Sequence, residues 1–318
     1  MIGINKFAAS EIDNIFPTNC ALISFVSFEA RCLSLINNVS ADKINHLYLF
    51  RNVNRSMDSF IQKNMALVQC KNIKVTIKDI NLNSSVNIAD IIAETIQNIK
   101  HRKLVIDITT FTHEALLILI KNLYLHQSSF DSILLIYNGA KEYSPWLSKG
   151  CKEVRNVIGF PGIFNPSYKY HLIILTGFEY ERATRLVELM EPDILSMGNG
   201  VDPINNNHLG AMQNSKERFE KWLQNLQSVP NDAFEFSCSD IEKTIEKLKE
   251  FVENGQNENL IMVPLNTKLS TLSVALVALK NNKIQVVYPI PEVYNTNYSI
   301  PSDNFTAIDL LKLPEFTD

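Results

Sequence analysis

The chain has 318 residues, 46% of them hydrophobic, which suffices for one large core or two of ordinary domain size. Its 30 Lys/Arg and 34 Asp/Glu are intermingled, with a formal charge of −4, so no basic block can follow a phosphate backbone and no extensive nucleic-acid surface is expected. Five scattered cysteines without a CxxC pair, a charged N-terminus lacking the apolar core of a secretion signal, and no uncharged run of spanning length exclude a disulfide framework and a membrane anchor, and predict a cytoplasmic location.

In chain order, "ALISFVSFEARCLSLI" opens as a β-rich run ending near Ser27, followed by a helix through Leu33, Leu35 and Ile36. "HLYLFRN" (46–52) and "KVTIKDI" (74–80) predict a second and a third strand, and 86–99 a helix. "KLVIDITTFTHEALLILIKNL" (103–123) combines a fourth strand with a helix, and "SILLIYNGAKEYS" (132–144) predicts a fifth strand. "GFPGIFNPSYKY" (159–170) carries Gly and Pro punctuation and is the expected bridge.

The same order then recurs. "YHLIILTGFEYERATRLVELM" is the counterpart of the first run, with Phe178-Glu179 150 residues after Phe28-Glu29. "DILSMGN" (193–199), "EFSCSDI" (235–241), a helix over 240–254, "NLIMVPLNTKLSTLSVALVAL" (259–279) and "IQVVYPIPEVYN" (284–295) continue the series, and Tyr137 and Tyr143 match Tyr288 and Tyr294 at one offset of 151. An additional helical piece, "SKERFEKWLQNL", is expected in the second half only. Alternating strands and helices call for parallel sheets covered on both faces. The prediction is therefore an α/β protein of two Rossmann-like halves forming an internal pseudo-dimer: residues 1–158, a linker at 159–170, and 171–318 with a helical insertion near 203–230.

In such sheets ligands sit beyond the carboxyl ends of the strands where strand order reverses. With the order 3-2-1-4-5 in each half, that point lies between the first and fourth strands. The loops concerned carry Phe28, Glu29, Arg31, Asp107, Thr109, Thr110 and His113 in the first half, and Gly177, Glu179, Asn266, Thr267 and Lys268 in the second. Thr109, Thr110, Asn266 and Thr267 suit either capping or an anion site at a helix start. Lys268 opposes the helix dipole unless something negative is near, either a bound anion or a carboxylate such as Glu179. Glu29, Glu179 and His113 are the candidates for proton transfer, although each also has a plain structural role as cap or packed residue. Tyr137 and Tyr288 end the fifth strands, where a ring can cover a pocket or pack. Walker, GxGxxG, HExxH and GxSxG motifs are absent and there are only 10 glycines, so no cofactor or metal is expected.

"VIDITTFTHEALLILI" resembles the signature of CRISPR-associated Rossmann-fold (CARF) domains, in which the fourth strand ends in Asp/Asn, any residue, Ser/Thr, three residues and a basic residue. Asp107 and Thr109 match, and His113 stands at the basic position. In the second half Pro264 and Ser270 take the places of acid and base, while its NTK resembles a family loop ending in Thr-Lys, which implies ligand contact for Thr267 and Lys268. The resemblance implies a nucleotide-type second-messenger sensor or regulatory subunit of a prokaryotic antiphage defence system. It would bind an anionic ligand between its halves and signal to a separately encoded protein effector, with homo-oligomerisation an open point. The unequal loops favour an asymmetric nucleotide. Two other readings stay open: a hydrolase or transferase acting on a nucleotide or related metabolite, and a non-binding scaffold subunit of a defence complex.

Overall fold

The computed structural model describes residues 4–55, 57–144, 146–177, 180–201, 209–226, 230–296 and 299–317, with backbone alone for 209–215. The chain divides into two compact units, Met1–Tyr143 with Thr296–Asp318, and Ser144–Asn295.

The first unit contains β1 (Ile4–Ala8), α1 (Ile12–Ile15), β2 (Cys20–Val26), α2 (Ser34–Asn38), β3 (Ile44–Asn52), α3 (Ser59–Gln69), β4 (Val75–Ile80), α4 (Ser85–Asn98), β5 (Lys103–Asp107), α5 (His113–Leu125) and β6 (Ser132–Tyr143). The second holds β7 (Ser148–Lys149), β8 (Glu153–Pro161), β9 (Lys169–Thr176), α6 (Glu181–Met190), β10 (Ile194–Val201), α7 (Leu209–Gln224), β11 (Asp232–Ser237), α8 (Ile241–Asn254), β12 (Glu258–Pro264), α9 (Lys268–Lys280), β13 (Gln285–Ile290) and β14 (Val293–Tyr294). A last strand, β15 (Ser299–Asp309), returns to the first sheet.

The sheet orders are β1-β15-β6-β5-β2-β3-β4 and β11-β10-β9-β12-β13-β8, with β7 and β14 forming a small ribbon. In each large sheet the five parallel strands follow the predicted 3-2-1-4-5 arrangement, so the fold is α/β with two halves of like topology. All seven residues of β2 are buried, as a parallel strand covered on both faces requires. Side-chain caps fix the helix starts: Asp58, Ser84, Thr112, Asp240 and Thr267 each accept a backbone N–H from the first turn. Helix α9 is apolar all round and is buried from Leu269 to Leu279. No described helix is long and apolar enough to cross a membrane.

Two features differ from expectation. Residues 159–161 finish β8, an antiparallel edge strand on β13, and the chain leaves the first unit earlier, after Tyr143. The C-terminal residues belong to the first unit, because β15 pairs along β6 and buries Phe305, Ala307 and Ile308 there. Local punctuation at 159–170 cannot reveal either pairing, since both are set by partners distant in sequence. Helix α7, within the region expected as an insertion at 203–230, links β10 to β11 just as α3 links β3 to β4, so it is a topological counterpart and not an addition.

Candidate functional site

In the first unit the carboxyl ends of β2 and β5 are adjacent, and the polar residues there are turned into one another. Glu29 accepts from Arg31 Nε at 2.9 Å and Nη2 at 2.6 Å, and from the Ser299 hydroxyl at 3.0 Å. Arg31 also donates to the Asn138 carbonyl at 3.2 Å. It is buried beside Tyr137 and Tyr143, whose hydrogen-bonded phenols are raised above their ordinary value chiefly by burial. Asp107, 2% exposed, accepts the Thr109 amide at 3.0 Å; burial pushes its carboxyl up to about 6, against the pull of Thr109 and Arg31. Thr109 Oγ1 accepts the Asn138 amide at 3.0 Å, and Thr110 donates to the Phe25 carbonyl at 2.6 Å. Phe28 is half-buried under the Arg55 guanidinium, 4.7 Å from its ring centre. His113 stands half-buried at the first position of α5.

The second unit treats the same place differently. Asn266 donates to the Thr176 carbonyl at 2.7 Å and accepts the Thr267 amide at 2.8 Å. Thr267 caps α9 by accepting the Ser270 amide at 3.2 Å, while its hydroxyl donates to the Cys238 carbonyl at 2.8 Å. Lys268 follows at the first helical position, half-buried, and the first turn of α9 contains no acidic residue. Close approach requires the glycines: a Cβ on Gly177 would meet the Leu265 carbonyl at 2.3 Å, and one on Gly200 would meet Asn266 Nδ2 and Cys238 Sγ at 2.5 Å. Phe178 and the predicted acid Glu179 lie outside the described residues. Tyr288 is buried, and its hydroxyl accepts from Arg182 Nη1 at 3.2 Å.

The loops differ in length, residues 108–112 against 265–267. Asp107 and Pro264 both end their strands, but the two-residue shortening places Lys268, and not Ser270, at the helical position of His113. The Thr caps 112 and 267 correspond, and Ser270 falls in the first turn as the recipient of the cap.

Sequence reasoning missed a device common to both units. Arg31 donates to the carbonyl of Asn138, next after Tyr137; Arg182 donates at 3.2 Å to the carbonyl of Pro289, next after Tyr288. Both pairs stand at the 151-residue offset already visible in the tyrosines. The arginine ties the element after the first strand to the end of the fifth. At that offset Glu29 corresponds to Tyr180, whose ring stacks on Trp222 with centroids 4.7 Å apart.

A second buried cluster lies nearer the amino end of the second sheet. His171 Nδ1 is 2.6 Å from Glu258 and Nε2 is 2.8 Å from the Ser196 hydroxyl. The order of groups is that of a hydrolytic triad, but Ser196 is 1% exposed, so no substrate reaches its oxygen. Among the described residues no group of three or more His, Cys, Asp or Glu is placed to hold a metal ion. The chain matches no protein-family model and no curated protein.

Proposed function

We propose that the protein is a sensing or regulatory subunit that binds a nucleotide-type anion at the carboxyl ends of β9 and β12 and signals to a separately encoded effector. The CARF resemblance gives this reading its setting, a prokaryotic antiphage system. The observation that carries it is Lys268 at the start of α9. There a side-chain cation adds to the positive end of the helix dipole, an arrangement that costs about 0.3–1 kcal/mol and that an anion reverses. Asn266 and Thr267 are already committed to holding the loop, so they shape the site and leave charge recognition to Lys268 and the helix terminus. An enzymatic reading has less support, because Glu29 is neutralised by Arg31 and engaged by Ser299.

The test is thermal unfolding with ATP, cyclic mononucleotides, and linear and cyclic oligonucleotides. A ligand at 100 times its dissociation constant stabilises by about 2.7 kcal/mol. Lys268→Ala is expected to weaken its binding by roughly tenfold, the worth of about 1.4 kcal/mol in a charge-assisted contact. If no nucleotide raises the unfolding temperature, the proposal fails.

A further inference from the structure

The helices that link the second and third strands are fastened differently in the two units. Helix α3 buries Ile61, Asn64, Met65 and Val68, and Asn64 Nδ2 donates at 2.8 Å to the carbonyl of Ser27, just beyond the first strand. Among the described side chains of α7 only Phe219 is buried, with Trp222 and Leu223 half-buried. Its attachment to α6 is concentrated at one point. Trp222 stacks on Tyr180 at an interplanar angle of 14°, Phe219 packs 5.9 Å from Trp222, and the indole N–H donates to Thr184 Oγ1 at 2.8 Å. The Thr184 hydroxyl in turn donates to the Tyr180 carbonyl at 3.0 Å. Beyond this point a cleft of about 410 Å³ opens, with Val187, Glu188 and Glu191 of α6 on one side and Asn225 and Leu226, which follow α7, on the other.

Tyr180 is the residue that begins α6, three positions after Gly177, and Gly177 lies against the Leu265 carbonyl of the PLNTK loop. A shift of that loop therefore acts on the ring that holds α7. We infer that α7 is a hinged arm pivoting on the Tyr180–Trp222 stack, with the cleft as its free travel, and that it reports the state of the 265–267 loop. Its role as a relay of ligand binding rests on the sensor reading above; the mechanical coupling does not.

The experiment uses the full chain with Trp146→Phe, which leaves Trp222 as the one tryptophan of the two. Amide exchange is expected to be about tenfold or more faster in α7 than in α3, as a locally opening element requires. Gly177→Ala, which forces the loop from the Leu265 carbonyl, is expected to shift the Trp222 emission and to change exchange in α7 but not α3. Adding Tyr180→Leu should abolish that response. Should Gly177→Ala not fold, Asn266→Ala loosens the same loop by removing its bond to Thr176. Unchanged Trp222 emission and unchanged α7 exchange in the folded loop variant would overturn the hinge, whatever binds. A nucleotide that raises the unfolding temperature while Trp222 stays silent overturns the hinge and spares the sensor reading. Absence of any nucleotide effect, with the loop variant still moving α7, overturns the sensor reading and spares the hinge.

Discussion

The two switch points share a topology and have opposite fates. In the first unit an acid two residues before Arg31 closes a buried ion pair, β15 brings Ser299 onto it, and Asp107, Thr109 and Asn138 complete the seal. In the second unit the position corresponding to Glu29 is Tyr180, which faces the α7 aromatic cluster, and a shorter loop places Lys268 at the helix start. Duplication thus leaves one copy free to become structural, because a fold needs its crevice filled only where no ligand fills it.

The largest expected effect tests the seal. Arg31→Ala leaves Glu29 charged and buried and should cost about 3–5 kcal/mol, measured by denaturant unfolding. A cost near that of a surface pair, under about 1 kcal/mol, would mean that the first crevice is open.

Next comes Asp107. Its carboxyl titrates at about 6 in the folded chain against an ordinary 3.8, so the folded state holds its proton more tightly. That contribution is complete below about pH 4 and is lost as pH rises through about 6, a loss on the order of 3 kcal/mol at most. Asp107→Asn should flatten the fall in stability between pH 4 and 6.5; an unchanged profile would place the titration elsewhere.

A smaller effect sharpens the comparison at the helix starts. Lys268→Ala should weaken nucleotide binding while leaving the unliganded chain as stable or a few tenths of a kcal/mol more so. His113→Ala, the equivalent change in the sealed crevice, should leave binding unaltered; equal losses from both would assign the ligand to both loops. The least energetic contrast is between thiols. Cys32 is buried behind the first switch point, its thiol pushed up to about 12 by burial, whereas Cys238 is half-buried at the second. Iodoacetamide should modify Cys238 well before Cys32, which should react only on unfolding; comparable rates would show the first crevice breathing as freely as the second.

The repeated α/β order, the apolar strands and the capping threonines were legible because each rests on local pattern: β2 and β12 are runs of buried apolar residues, and Thr112 and Thr267 cap by short-range bonds. The candidate residues near the switch points were legible as positions, since topology alone sends those loops to one end of the sheet. Their state was not. Glu29 and Arg31 have the same composition whether they bind a ligand or each other, and the deciding groups, Asn138 and Ser299, are 107 and 270 residues away from their partners in the chain. By itself, then, the sequence determined two α/β halves and where each would place a ligand loop. Only the tertiary structure decided that β15 returns to the first sheet, that one crevice is sealed, and that Lys268 holds the place of His113, because those outcomes depend on non-local pairing and burial, which no local pattern encodes.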